Sequence, residues 1–382
     1  MPPFDFVPPE MPANTAALRQ EVRHFLHTEL AGMPAEYRAQ TWVGFSPEFS
    51  RKLGARGWIG MVWPTQHGGQ GRSTLERYIV NEDLLAAGAP VGAHWIADRQ
   101  SGALLLRYGS AAAIERFLPR MAAGELYFCI GMSEPAAGSD LAAIKTHATR
   151  VNGGWCVNGS KLWTTNAHKA HMMIALVRTT HAATDRHAGL SQFIIDLSSP
   201  GVTTRAITDQ VGQQHFGEIF LSDVFVPDEL LLGQEGEGWQ QVNAELSLER
   251  SGPERYLSSY RLLEELVRAA GPAPSEQLVQ LVGNLTAELW TLRQLSLSVA
   301  GQLSRGEDAT LEAAIVKDLG ACFEQSLPPT VQAALSDEIT PERLAPLSRV
   351  LKYLLNASPA FSLRGGTREI LRGIIARRLG LR

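Results

Sequence analysis

Four short stretches of the chain carry residue types that can do chemistry. In "IGMSEPAAGSDLAAIKT", Ile130 to Thr146, a β-type run ends in Ser133-Glu134-Pro135 and then a turn of small residues, Ala136 to Ser139. Small side chains let the backbone approach a flat or phosphorylated ligand, and the serine hydroxyls and free N–H groups of such a turn can hold its oxygens or ring nitrogens. A plain turn closed by a helix-capping Ser139 or Asp140 is the competing reading. In "GSKLWTTNA", Gly159 to Ala167, Trp163 stands beside two threonines at the end of a strand. An aromatic plane next to hydroxyls suits a stacked heterocycle, although a strand tryptophan is more often plain core. The third stretch, "SLRGGTREILRGIIARR", Ser362 to Arg378, puts a Gly-Gly-Thr turn before a helix, with Arg364, Arg368 and Arg372 recurring every fourth residue across it. The turn offers backbone N–H groups but no side chain able to move a proton. The fourth, "ELSLERSG", contains Glu249-Arg250 on a line with Leu246 and Leu248. That carboxylate either faces an apolar cleft, where desolvation raises its pKa toward that of a general base, or belongs to an ordinary solvated ion pair.

The elements that must position these residues follow a helical, β, helical order. "TAALRQEVRHFLHTEL" places Leu18, Val22, Phe25 and Leu26 at helical spacing, with Asn14 or Thr15 as N-cap. Further helical patterns follow at "SPEFSRKLGARG", "TLERYIVNEDLLAAGA", "HWIADRQSGALLLRYG" and "AAAIERFLPRMAAGE". Composition then shifts to short runs of Val, Ile, Thr and aromatics, from "YFCIGMSE" to "GEIFLSDVFVP", with "VNGGW" as a hairpin signal. After "GEGWQQVNAEL" the helical period returns in long segments whose apolar faces pack most simply as a bundle.

Bulk properties exclude several function classes. A chain of 382 residues with 45% hydrophobic and 19% charged content can bury a large core, and a formal net charge of −4 argues against binding dominated by nucleic-acid phosphates. Cys129, Cys156 and Cys322 have no metal-type spacing and are too few for a disulfide framework, so they are expected as buried packing residues in a reducing cytoplasm. No apolar run is long enough to span a bilayer, and the Pro-rich acidic start does not read as a signal peptide, so the expected protein is soluble and cytoplasmic.

"MSEPAAGSD", "GSKLWTTNA", "GEIFLSDVFVP" followed by "GEGW", and "GGTREILRGIIAR" occur in an order and spacing that resembles the acyl-CoA dehydrogenase family of flavoproteins over nearly the whole chain. The resemblance implies an α+β fold with an N-terminal helical domain (1–124), a central β-barrel-like domain (125–236) and a C-terminal four-helix bundle (237–382). It implies FAD between the β domain and the bundle, contacted by Ile130, Met132, Ser133, Gly138, Ser139, Trp163, Thr164, Thr165, Thr367 and Glu369. Ser139 would meet the FAD phosphates or the acyl-CoA, and Glu369 stands where the family commonly has glutamine. Most members carry the catalytic glutamate two residues before the threonine of the last turn, which here is Gly365. A minority carries it on the first helix after the β domain, before an arginine that meets coenzyme A, and Glu249-Arg250 match that pair. Gly365 would then keep its N–H for the thioester oxygen and leave room for a branched or bulky acyl group.

The Arg-x-x-Phe-Gly and Gln-x-x-Gly-Gly-x-Gly segments by which family members reach a neighbouring subunit's FAD are reduced or missing around "VRAAGPAPSEQ" and "PTVQAALSDEITPERL". The resemblance therefore implies an α2β2 hetero-oligomer with a related chain, or a homo-oligomer, acting on an acyl-CoA and passing electrons to an electron-transfer flavoprotein. A non-catalytic partner subunit and a flavin oxidase or monooxygenase of the same fold are the alternatives. The arginines of the last helix are expected to pack against acidic neighbours or a CoA phosphate.

Overall fold

The structure is a computed structural model that describes residues 4–180, 185–249, 251–335 and 339–381, without the side chains of 244–249. In chain order, the helices α1 (Thr15–Glu29), α2 (Ala35–Arg38), α3 (Pro47–Ala55), α4 (Thr74–Ala86), α5 (Gly102–Tyr108) and α6 (Ala111–Ala122) come first. Strands β1 (Phe128–Gly131), β2 (His147–Val151), β3 (Gly154–Thr165), β4 (Met172–Arg178), β5 (Leu190–Asp196), β6 (Val202–Ile207), β7 (Phe216–Pro227) and β8 (Leu231–Leu232) follow. Helices α7 (Gly238–Glu249), α8 (Tyr260–Ala270), α9 (Glu276–Ser304), α10 (Thr310–Ala333), α11 (Pro341–Ala357) and α12 (Arg368–Arg378) complete the chain. This is the order of helical, β and helical regions that the residue patterns predict.

Local chemistry explains most of the boundaries. Ser46, Ser73 and Ser110 accept hydrogen bonds at the starts of α3, α4 and α6, and Ser73 with Glu76 forms a complete capping box. Asn14 precedes α1 without capping it; its side-chain amide donates instead to Glu76 Oε1 at 2.8 Å. Helix α11 is one the sequence reading passed over. Pro341 starts it, where a missing N–H costs nothing, but Pro346 lies inside the helix and forgoes the bond to the 342 carbonyl, a loss offset by the buried face of Leu347, Val350, Leu351 and Leu354.

The chain divides into two compact units. The second unit, Phe45–Arg72 with Val91–Leu248, contains the whole sheet, in the order β6-β7-β3-β2-β4-β5-β8, with β1 pairing parallel to β4. β4 is buried along its whole length and β5 along all but its last residue, which is why both read as near-continuous apolar runs. Phe117, Leu118 and Met121 of α6 share one core with Phe128, Met173 and Ile174 of the sheet, and Phe117 meets Phe128 edge to face at 5.8 Å. The "VNGGW" hairpin joins β2 to β3 as expected.

The first unit, Met1–Gly44 with Ser73–Pro90 and Glu249–Arg382, is helical. α8 turns Leu262, Leu263, Leu266 and Ala269 inward, and α11 does the same with Leu347, Val350, Leu351 and Leu354. A buried polar network also ties α4 to α9: Tyr78 bonds Tyr256 at 2.8 Å and Ser296 at 2.9 Å, and Arg293 pairs with Glu82 at 2.7 Å. Of the three cysteines, all free, Cys129 is buried as expected, but Cys156 and Cys322 are only half-buried. No helix among the described residues is long and apolar enough to cross a membrane, and no group of His, Cys, Asp and Glu among them could hold a metal ion.

Candidate functional site

The sheet unit brings two of the four stretches together. β1 ends at Gly131, Met132 and Ser133 follow half-buried, and the carbonyl of Ser133 accepts a hydrogen bond from Leu162 N at 2.9 Å, so Trp163 lies one residue from that junction. The junction is locked from within by Lys161, whose ammonium is fully enclosed and donates to Met132 O at 3.1 Å and to Glu134 Oε1 at 2.9 Å. Glu134 in turn accepts from Lys145 N at 2.7 Å and Thr146 N at 3.0 Å. Burial pulls the Lys161 ammonium down to about 8, against the attraction of Glu134. Burial raises the Glu134 carboxyl, but Lys161 and the two N–H donors outweigh it and hold the group below the usual carboxylate range. Sequence reading quoted both residues without pairing them. The available signal was strand parity: Trp155, Val157 and Lys161 all point inward on β3, and an inward lysine requires a partner.

Trp163 itself is not core. It sits at φ +60 in the irregular stretch of β3 between Lys161 and Thr164, is 57% exposed, and rests edge-on against Phe216 at 6.0 Å. A left-handed backbone costs a non-glycine residue about 1–2 kcal/mol, a strain that structures tend to retain at working sites. Next to it the Thr164 hydroxyl is buried with no hydrogen-bond partner among the described residues, and Thr165 is half-buried opposite Phe216. An open aromatic face beside an unpaired hydroxyl is what a planar, hydrogen-bonding heterocycle would complete. Ile130 is half-buried, whereas Gly138 and Ser139 are exposed beyond a tight turn in which Glu134 and Ala137 exchange backbone hydrogen bonds at 2.9 and 3.1 Å. The capping alternative fails for Asp140, which precedes a short 3-10 turn without capping it and pairs with Arg186 instead.

The helical unit holds the Gly-Gly-Thr turn. Gly365 has φ +67, and a Cβ there would lie 3.0–3.2 Å from the guanidinium of Arg255, a side chain only 2% exposed and paired with Glu254 at 3.3 Å. The space that a side chain at position 365 would enter is thus occupied by an arginine. Arg364 anchors the turn from below. It donates to Ser258 Oγ at 2.6 Å and to the fully buried Glu324 at 2.8 Å, with Phe361 and Trp42 against its guanidinium at 4.3 and 5.0 Å. Thr367 caps α12 through a long 3.5 Å bond from Ile370 N, and Glu369 is exposed, its carboxyl held low by the helix-start N–H and by Thr367. Arg368 and Arg372 both pair with Asp318, the acidic neighbour expected for them. Glu254 and Arg255 were missed by sequence reading, which stopped at Glu249-Arg250 five residues earlier. Glu249 closes α7, but its side chain and all of Arg250 lie outside the described residues.

Gly365→Ala is expected to lose about 1–2 kcal/mol from the left-handed backbone alone, with a further loss from displacing Arg255. Urea denaturation checks this, and an unchanged midpoint would contradict the geometry.

Two family models match the chain: "Acyl-CoA dehydrogenase, N-terminal domain" over residues 12–125 and "Acyl-CoA dehydrogenase, middle domain" over 129–224. The chain is 31% identical to Acyl-CoA dehydrogenase IpdE1 of Mycolicibacterium smegmatis, covering 95% of this chain and 97% of that protein. It is also 31% identical to Acyl-CoA dehydrogenase FadE34 of Mycobacterium tuberculosis over 96% of its length, but spans only 49% of that relative. Against IpdE1 of the same organism it is 35% identical over 61% of this chain and 62% of the other. Among solved structures, the Tcur3481–Tcur3483 steroid ACAD matches with TM-score 0.85 at 27% identity, covering 97% of this chain and 98% of that one. The ChsE4–ChsE5 complex from Mycobacterium tuberculosis matches with TM-score 0.82 at 27% identity, covering 98% and 99%.

Proposed function

Because the chain belongs to the acyl-CoA dehydrogenase family, we propose that it is an FAD-dependent dehydrogenase forming a trans-2-enoyl-CoA from a branched or bulky acyl-CoA. The observation that carries this is Trp163, an exposed aromatic in a strained left-handed bend beside the unpartnered Thr164 hydroxyl. That pair fits a flavin. Thr164, Thr165, Met132 and Ser133 would hold its ring, with Ile130, Gly138, Ser139, Thr367 and Glu369 as further contacts. FAD, when bound, supplies the acceptor for the hydride leaving the β-carbon. Glu249 takes the α-proton, the N–H of Gly365 holds the thioester oxygen as charge builds there, and Arg250, with Ser139, meets coenzyme A. Electrons leave to an electron-transfer flavoprotein.

The bulky-acyl assignment draws support from the steroid ACAD at 27% identity; the room expected at Gly365 does not add to it, because the Arg255 guanidinium fills that space. An α2β2 assembly with a related chain draws support from the likeness to a two-chain complex and from the missing neighbour-facing motifs. A homo-oligomer is the rival. The division into 1–124, 125–236 and 237–382 and a cytoplasmic setting belong to the same reading, the latter supported by three free cysteines.

The test is the visible spectrum of the purified chain. A flavin band bleached anaerobically by a bulky acyl-CoA is the expected result. A chain that takes up no FAD in excess cofactor, either alone or with its related partner chain present, would be a non-catalytic partner subunit, and turnover that requires oxygen would make it an oxidase or monooxygenase.

A further inference from the structure

At the other end of the sheet from Ser133 lies a cavity of about 380 Å³, lined among others by Arg116, Arg120, His168, His171, Asp196 and Ser198. Its position follows from strand direction. β1 and β4 run parallel, and the cavity is reached by Leu126, just before β1, and by Met172, the first residue of β4, whereas Met132 and Ser133 follow the end of β1. Four residues of strand separate the two ends by about 13 Å.

Three features mark this cavity as a site for a ligand. First, both ring nitrogens of His168 are buried with no hydrogen-bond partner among the described residues. Buried polar atoms of this kind need an explanation, and a missing ligand is one. Second, the charges do not cancel. Arg116 and Arg120 stand one helical turn apart on α6 and make no ion pair among the described residues; Arg116 only overlies the Phe117 ring at 5.0 Å. The Asp196 carboxylate is already engaged, since its Oδ1 accepts from Ser198 N at 2.9 Å and Ser198 Oγ at 2.6 Å. Third, His171 is fixed in one tautomer. Its Nδ1 accepts the Tyr127 N–H at 3.1 Å, so the hydrogen of the neutral ring is on Nε2 and that atom is a donor.

We propose that this cavity binds a small phosphate monoester, whose oxygens are taken by the guanidinium groups of Arg116 and Arg120 and by imidazole N–H, with its organic part against Phe117, Leu126 and Leu197. Paired guanidinium forks match phosphate geometry, and the volume falls within the range of small-molecule sites while exceeding what a bare phosphate fills. Burial, aided at His168 by Lys169 and at His171 by Arg120, keeps both imidazoles below their ordinary pKa, so at neutral pH they are neutral donors.

The experiment is titration of the FAD-loaded protein with phenyl phosphate and with inorganic phosphate at constant ionic strength, by calorimetry and ³¹P line broadening. Wild type is expected to bind phenyl phosphate saturably and more tightly than inorganic phosphate. Arg116→Gln and Arg120→Gln, both surface changes, are each expected to weaken it at least about 10-fold, with flavin content unchanged. No saturable binding by the wild type overturns the proposal. So does binding that both variants retain undiminished, which would place the phosphate in the flavin or coenzyme A region instead.

Discussion

Glu249→Gln is expected to bind acyl-CoA as wild type does but to reduce its flavin about 10³-fold more slowly, within the usual 10²–10⁴ range for loss of a general base. Glutamine keeps the shape and a hydrogen-bonding oxygen, so the loss reports proton transfer rather than positioning. The expectation is sharpened by the turn at Gly365. The place where a base at 365 would enter is filled by the Arg255 guanidinium, and an arginine beside Glu254 cannot accept a proton at neutral pH. Stopped-flow flavin bleaching with a saturating thioester measures the effect. Wild-type bleaching by the variant would remove Glu249 from the chemistry and assign the α-proton to another base.

Lys161→Met is expected to cost about 3–5 kcal/mol, the usual consequence of stripping one member from a buried ion pair. The methionine matches the stem of the lysine, so the penalty comes from leaving Glu134 charged and enclosed with only the Lys145 and Thr146 N–H donors. The double variant Lys161→Met with Glu134→Gln should recover part of the loss, a coupling that a purely steric role would not produce. Their pH behaviour separates the partners further. The folded pKa of Glu134 is depressed, so its contribution is present above the unfolded carboxylate value and lost as pH falls through the folded one. Lys161 titrates at about 8, so the penalty of burying its ammonium holds below that pH and is relieved as pH climbs toward the ordinary lysine value. Chemical denaturation across pH should therefore show a shallower acid limb in Glu134→Gln than in wild type. Equal limbs would mean that this carboxylate is not the one responsible.

The parts of this molecule that were legible in the sequence are those fixed by neighbours along the chain. The Asn-Gly hairpin and the alternation of helical and strand periods are local, and so were read correctly, whereas the capping serines Ser46, Ser73 and Ser110 were passed over. Trp163 was read as either a stacking surface or core, because exposure depends on the left-handed bend and not on composition. What stayed hidden is assembled from distant segments. Lys161 meets Glu134 only once β3 lies along β1, Arg255 fills the space at Gly365 only once α12 is docked, and Asn14 is drawn from its cap by a glutamate on another helix. Helix α11 was hidden for another reason: Pro341 fits a helix start, but Pro346 inside the helix reads as a stop and is carried by the buried apolar face beyond it.

Neither compact unit is a single stretch of chain. The helical one is built from Met1–Gly44, Ser73–Pro90 and Glu249–Arg382, with the sheet-bearing one threaded between. During translation Tyr78 of α4 must therefore wait for Ser296 of α9, which lies 218 residues on, about 10–45 s at ordinary elongation rates. The sheet-bearing unit, whose last segment ends at Leu248, is complete on the ribosome well before that. Pulse-labelled nascent chains should become protease-resistant first in the sheet, leaving α4 open to cleavage until α9 is released.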